Sequence, residues 1–146
     1  MRKLLFVLPF AAMFFGSCLP SNSNDTPNQI TVPTGIFTGQ FRKIHKNMTS
    51  GKMDTMKANF RMTMSTDSGY KVTADTTTIH AGSKGAFQVT TGFIYFVDST
   101  YPKTGTPVKT HLAGTYAYVF DGSVFKMANP TSSVDSIFYQ YDLKKQ

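Results

Sequence analysis

The sequence predicts an all-β domain, an antiparallel meander of about eight strands closed as a barrel or folded as a sandwich. Three observations predict it. Apolar residues recur at every second position through most of the chain from Thr34 onward, the period of a half-buried strand. Short Gly, Asp, Asn and Ser clusters break that pattern at intervals suited to hairpins. The composition also favours sheet: all eight acidic residues are aspartate, glutamate and tryptophan are absent, and Phe and Tyr number 13 and 7.

The elements follow in order. Ile36 to Lys46 is a strand with Phe37, Gly39 and Phe41 on one face, and Asn47 to Asp54 is a polar loop. Thr55 to Ser65 alternates most cleanly. Met56, Ala58, Phe60, Met62 and Met64 point one way, while Lys57, Asn59, Arg61, Thr63 and Ser65 point the other. Asp67-Ser68-Gly69 turns the chain into Tyr70 to Asp75, where Tyr70, Val72 and Ala74 align. Thr76 to Ala81 is a weaker strand, and Gly82-Ser83-Lys84-Gly85 has the composition of a hairpin loop.

Ala86 to Thr90 places Phe87 and Val89 together, and Gly92 marks a bulge or bend. Phe93-Ile94-Tyr95-Phe96-Val97 is apolar on both faces, which predicts cover on both sides. Ser99 to Pro107 is a Pro/Gly/Thr loop. His111 to Phe120 aligns Leu112, Gly114, Tyr116, Tyr118 and Phe120. Asp121-Gly122 is a hairpin turn, expected to carry positive φ at both residues. Ser123 to Ala128 returns, Asn129 to Ser133 is a loop, and Ser136 to Leu143 aligns Ile137, Tyr139, Tyr141 and Leu143.

The N-terminus has a different grammar. Met1-Arg2-Lys3 is basic, Leu4 to Phe15 holds twelve residues, and Gly16-Ser17-Cys18 follows. A basic start, a short apolar run and small residues at the end describe a secretory signal. A membrane-spanning helix needs about twenty apolar residues, so the run is too short to span. Residues 1–17 are therefore read as signal peptide. Residues 18–33 are read as a flexible tether rich in Ser, Asn, Thr and Pro, and residues 34–146 as one domain. Cys18 is the single cysteine, so no intramolecular disulfide forms.

Phe15-Gly16-Ser17-Cys18 resembles a bacterial lipobox in its two small residues and its cysteine, and departs from it at Phe15, where leucine is usual. The resemblance implies cleavage before Cys18, diacylglycerol on its sulfur and an acylated amine. Two or three such chains anchor stably, each buried CH₂ adding about 0.8 kcal/mol. Leu19 follows the cysteine in place of the aspartate that resembles an inner-membrane retention signal. The implied address is the outer membrane, on its periplasmic face or at the cell surface.

The domain also resembles the lipocalin-like group of small up-and-down barrels in strand number, length and export. Gly35-Ile36-Phe37 stands where lipocalins carry Gly-x-Trp. Eight strands enclose room for packed side chains or for one small ligand.

Removing residues 1–17 leaves 13 basic and 8 acidic side chains. Export argues against nucleic acid as the partner of that charge. Arg42, Lys43, Lys46, Lys52, Lys57 and Arg61 would form one basic face if the first two strands pair. The aromatic and Met stripe of Phe60, Met62, Tyr95, Tyr116, Tyr118, Tyr139 and Tyr141 is the candidate ligand lining, with a filled core as its alternative. No nucleophile elbow or phosphate loop occurs, and no catalytic residue or cofactor is expected. His45, His80 and His111 lack metal-ligand spacing. The thioethers of Met53, Met56, Met62 and Met64 suit Cu(I), although their alternation is that of a core.

Two roles follow as expectations: a lipid-anchored barrel binding a small hydrophobic or amphiphilic ligand, or a filled barrel contacting an envelope protein. Metal handling ranks third.

Overall fold

The structure, a computed structural model, describes residues 30–73, 77–130 and 136–146. Its strands are β1 (Gly35–Lys46), β2 (Met53–Ser65), β3 (Gly69–Thr73), β4 (Ser83–Thr90), β5 (Phe93–Asp98), β6 (Gly114–Phe120), β7 (Val124–Pro130) and β8 (Ser136–Lys145). Each strand pairs antiparallel with the next, and β8 pairs back onto β1, so the sheet closes as a barrel. Closure removes every sheet edge. The barrel alternative is the observed one, with the strand order of a lipocalin-like meander.

Side-chain parity decides what is inside. On β2, Ala58, Phe60, Met62 and Met64 are buried, while Lys57, Asn59, Arg61 and Thr63 face solvent. The same alternation places Phe37 and Phe41 of β1, Ile94 and Phe96 of β5, Phe125 and Met127 of β7, and Tyr141 and Leu143 of β8 in one core. Aromatic rings fill it edge to face: Phe60 and Tyr141 lie 4.9 Å apart at 68°, and Tyr70 and Phe96 5.0 Å apart at 78°. Met56 continues the inward parity but sits beyond the packed layer and is 47% exposed.

Two glycines allow strands to approach where a side chain would not fit. A Cβ on Gly39 would lie 2.0 Å from the Asp142 carbonyl oxygen across the β1–β8 seam. One on Gly85 would lie 1.8 Å from the Val97 carbonyl oxygen. Gly85 is therefore a strand residue of β4, and the expected hairpin loop at Gly82–Gly85 does not form there. Ser83 already pairs with Val72. The chain reverses earlier, in a segment whose residues 77–82 fold over the barrel end. Within them only His80 bridges, to Thr110 and in parallel, so the weak strand expected at Thr76–Ala81 is absent from the described residues.

Three further expectations are corrected or narrowed. Phe93, Tyr95 and Val97 point outward and are 54%, 46% and 50% exposed, because nothing covers the outside of a single-layer barrel. Thr91 and Gly92 form the two-residue link between the Thr90↔Phe93 pair, so of the bulge or bend expected at Gly92 (φ 81°) the bend is observed, as a turn, and the bulge is not. At the β6–β7 turn only Gly122 has positive φ. Asp121 instead accepts from the backbone N–H groups of Ser123 (2.9 Å) and Val124 (2.6 Å). This leaves Gly122 at the first central position, which a II′ turn favours.

The meander gives the barrel two unlike ends. The short turns 66–68, 91–92 and 121–123 share one end with the start of β1 and the finish of β8. There the Gln146 N–H donates to the Ile36 carbonyl at 2.9 Å. The long connections, including residues 99–113, gather at the opposite end.

Candidate functional site

Residues 77–82 and 107–113 leave the sheet and pair with each other across the long-loop end. The Ala81 N–H donates to the Thr110 carbonyl at 2.8 Å, and the Thr110 N–H to the Ile79 carbonyl at 3.0 Å. Leu112 is driven into the core, where the Tyr70 hydroxyl donates to its carbonyl at 2.6 Å. Burial, with Asp98 nearby, holds the Tyr70 phenol far above its ordinary range, so it stays a donor.

The start of the 99–113 loop is pinned from β5. The buried Asp98 carboxylate meets His111 Nδ1 at 2.7 Å and accepts from the Thr100 N–H at 2.7 Å and the Thr100 hydroxyl at 2.6 Å. The Tyr101 ring then packs edgewise on His111, 5.3 Å between centroids. The loop is consequently held as a wall.

A polar chain runs beneath that wall. His80 is buried between Phe41 and Phe60, its Nδ1 2.7 Å from the Ala81 carbonyl and its Nε2 2.9 Å from the Tyr141 hydroxyl. A carbonyl can only accept, so Nδ1 carries the hydrogen and Nε2 accepts from Tyr141. Burial pushes the His80 imidazole down to about 4, which keeps it neutral and fixes this tautomer. Tyr141 is hydrogen-bonded in turn to Tyr116, which also meets Asn129 and the Ala113 backbone. Burial pushes Tyr116 up to about 12, against those hydrogen bonds, and Tyr141 well above the ordinary phenol range. Both phenols remain protonated donors.

The chain ends at an open groove of about 500 Å³ at the barrel mouth. Its lining includes Lys43, Tyr101, Val108, Lys109, Tyr116 and Tyr139. Lys43 reaches the mouth because its β1 position has the inward parity of Phe37 and Phe41, and its register partners are Met56 and Tyr139. Among the described lining residues there is no carboxylate. The groove therefore joins two ammonium groups, phenol hydroxyls and an apolar lip at Tyr101 and Val108, the latter fully exposed.

The seven residues proposed from sequence as ligand lining separate into four groups. Phe60, Met62 and Tyr141 are buried in the packed core. Tyr116 and Tyr139 line the mouth. Tyr118 is partly buried near the short-turn end, its ring 5.9 Å from Phe125. Tyr95 lies on the outer surface. Cys18 lies outside the described residues.

The basic group divides as well. Lys43 turns inward, whereas Arg42 faces out and pairs with Asp142. Lys57 and Arg61 lie exposed on the outside of β2. Met62 and Met64 pack in the core, while Met48, Met53 and Met56 are exposed around the β1–β2 hairpin. Among the described residues no three His, Cys, Asp or Glu side chains converge as a metal site.

Sequence reasoning assigned Lys43 to a shared basic face instead of the mouth, and missed Tyr101 and Lys109. The parity of β1 was a usable signal for Lys43. The two loop residues had none, since their position depends on contacts far along the chain.

A second surface feature lies outside the barrel. Phe93, Tyr95 and Val97 run along the outside of β5, and Val119 of β6, 71% exposed, lies diagonally next to Phe93, whose register partner is Ala117. A hollow of about 270 Å³ on the outside of β6 to β8 adjoins Val119, at Ala117 and Ala128.

Comparison with protein-family models, with curated proteins and with solved structures gave no match.

Proposed function

We propose that this protein is an exported lipoprotein, acylated at Cys18, whose barrel binds a small amphiphilic molecule at its mouth. It acts as a binder, without catalysis, on the periplasmic face of the outer membrane. The observation that carries the reading is the groove of about 500 Å³ between the 99–113 loop and the β1–β8 wall. That volume is in the range of small-molecule sites, roughly 300–1,000 Å³, and mixed apolar and polar lining is their usual chemistry. The groove opens at the end opposite the start of β1, so a ligand would enter away from the tether.

Native mass spectrometry of the mature protein, purified gently from the envelope, tests the binding. A stoichiometric added mass, released on denaturation and absent from a Val108→Asp variant, is the expected result. A clean apo mass that persists after incubation with envelope extract would sink it. The anchor has its own test: Cys18→Ala should lose the acyl mass and leave the membrane fraction.

A second reading rests on the outer strip of Phe93, Tyr95, Val97 and Val119. Contiguous exposed apolar surface beside a filled interior suits a protein partner in the envelope. A photo-crosslinker at position 95 would then give one discrete adduct in cells. The same probe at position 63, on β2 across the barrel, would give none.

A further inference from the structure

We infer that the outside of the barrel carries a second binding site, for a phosphomonoester, in the hollow where Lys71 of β3 stands opposite Lys84 of β4. It lies apart from the mouth and does not depend on what the mouth binds. Four observations carry it.

First, the register sets like charges against each other. Lys71 and Lys84 are direct cross-strand partners, and both are exposed on the outer surface. Opposite residues of an antiparallel pair hold their Cβ atoms about 5 Å apart, and like charges there are destabilising. Lysine often guards a free sheet edge, but this barrel is closed and β4 has no edge to guard. An anion between the two ammonium groups would turn the repulsion into attraction.

Second, neither lysine meets a carboxylate among the described residues. The charged residues at outward positions of β2, β3 and β4 are Lys57, Arg61, Lys71 and Lys84. Arg61 is the diagonal neighbour of Lys71, whose direct partner on β2 is Thr63. Asp98, register partner of Gly85, points inward and is engaged by His111 and Thr100. Asp67, in the adjoining turn, accepts from the Thr66 hydroxyl and does not line the hollow.

Third, the pair borders a space that a ligand can occupy. The hollow measures about 500 Å³, and one row of the sheet crosses it from Thr63 through Lys71 and Lys84 to Ser99. Gly69 and Gly85 also line it and contribute no side chain to fill it. Fourth, the donors are polar. The Ser99 hydroxyl is spent on the Lys84 carbonyl at 2.8 Å, and the buried Tyr70 hydroxyl on that of Leu112. Two ammonium groups and the exposed hydroxyls of Thr63 and Ser68 are left to face a ligand.

A phosphomonoester carries about two negative charges and three acceptor oxygens at neutral pH. That matches two lysines and two hydroxyls better than a carboxylate does. Lysine binds phosphate as a point charge, so the site selects charge over shape. The hollow exceeds a bare phosphate and leaves room for the polar group that bears it. That group is either a lipid head in a bilayer or a soluble sugar or glycerol phosphate. Both sources share the phosphomonoester.

The test uses residues 18–146 with Cys18→Ala, so that no acyl chain contributes. Glycerol 3-phosphate, followed by amide NMR, should shift Lys71, Lys84 and Gly85. Each lysine near an anion is worth about a factor of five. Lys71→Gln/Lys84→Gln should therefore weaken binding at least about tenfold, with a melting temperature unchanged or raised because a repulsion is gone. Lys126→Gln/Lys144→Gln, an equal loss of charge on β7 and β8, should leave binding unchanged. Co-sedimentation with phosphatidylcholine vesicles, with and without phosphatidic acid, identifies the source. Binding that needs phosphatidic acid and both lysines names the lipid head. Glycerol 3-phosphate binding without vesicle binding names the soluble compound.

Equal weakening by the two double variants would overturn the site and leave only net charge. Acetate at the same ionic strength shifting the same amides as strongly would overturn the phosphomonoester. No shift at millimolar glycerol 3-phosphate, together with no response to phosphatidic acid, would overturn both. None of these results bears on the mouth.

Discussion

The middle of the barrel and its mouth are built from the same strands but solve opposite problems. In the middle, Phe41, Phe60, Met62, Phe96 and Tyr141 interlock, and the neutral His80 among them is hydrogen-bonded on both sides. At the mouth the strands run past that layer, and the segments 77–82 and 107–113 close over it with paired backbone, threonine hydroxyls and Lys109. The contrast teaches that inward parity does not mean burial in a barrel. Ala58, Met56 and Asp54 share a parity on β2, and exposure rises along that row as it leaves the packed layer.

The sharpest way to break this comparison is to remove one ring from the packed layer. Phe41→Ala should cost about 3–5 kcal/mol, the usual loss for a buried phenylalanine. Met56→Ala, on an inward position at the rim, should cost under about 0.5 kcal/mol. Urea denaturation of both variants measures the gap, and similar losses would deny that the two layers differ.

Acid is next in size. His80 has a folded value of about 4 against an unfolded value near 6.5, so the unfolded chain takes up the proton first. Its contribution is full above about pH 6.5 and is lost as pH falls toward 4, a loss of about 3 kcal/mol at most. Unfolding free energies at pH 7 and pH 4 measure it. In His80→Gln the pH dependence over this window should flatten by that amount, even if the variant is less stable at pH 7.

Tyr70→Phe should cost about 1 kcal/mol by removing the hydrogen bond to Leu112. Its distinguishing readout is local. Amide exchange at Ala81 and Thr110, which pair the two loop segments, should quicken more than exchange at Phe41 or Phe60. Smallest of all is Tyr95→Ser on the outer strip, expected within about 0.5 kcal/mol by thermal melting. A large loss there would mean that the strip is covered in the folded protein.

The packed layer was readable in the sequence because period two is a local signal. Phe60, Met62 and Met64 declare their face within five residues, and Tyr139, Tyr141 and Leu143 do the same. Closure into a barrel was less readable, since the β1–β8 pairing joins residues about a hundred positions apart. The mouth was harder still. Lys43 sits among Arg42 and Lys46, and charge clustering along the chain suggested a common face that parity divides. Gly85 looked like a turn residue because glycine answers two demands, a positive φ or a missing Cβ, and composition does not say which applies. The outer exposure of Tyr95 depends on the number of layers in the fold, which an apolar run cannot specify.

The seam between β1 and β8 also orders events in time. Ten residues of β8 zip against β1, and the Gln146 side chain reaches Thr38 at 2.7 Å to fasten the last of them. Until Ser136–Lys145 arrives, β1 and β7 each present an unpaired edge, the surface most prone to wrong partners. A chain synthesised from its N-terminus would thus emerge with β1 waiting for the last of the eight strands to be made. For that interval it would depend on escorts that shield open strands, and a nascent chain stalled before Ser136 would be a substrate for proteolysis rather than a barrel with one strand fewer.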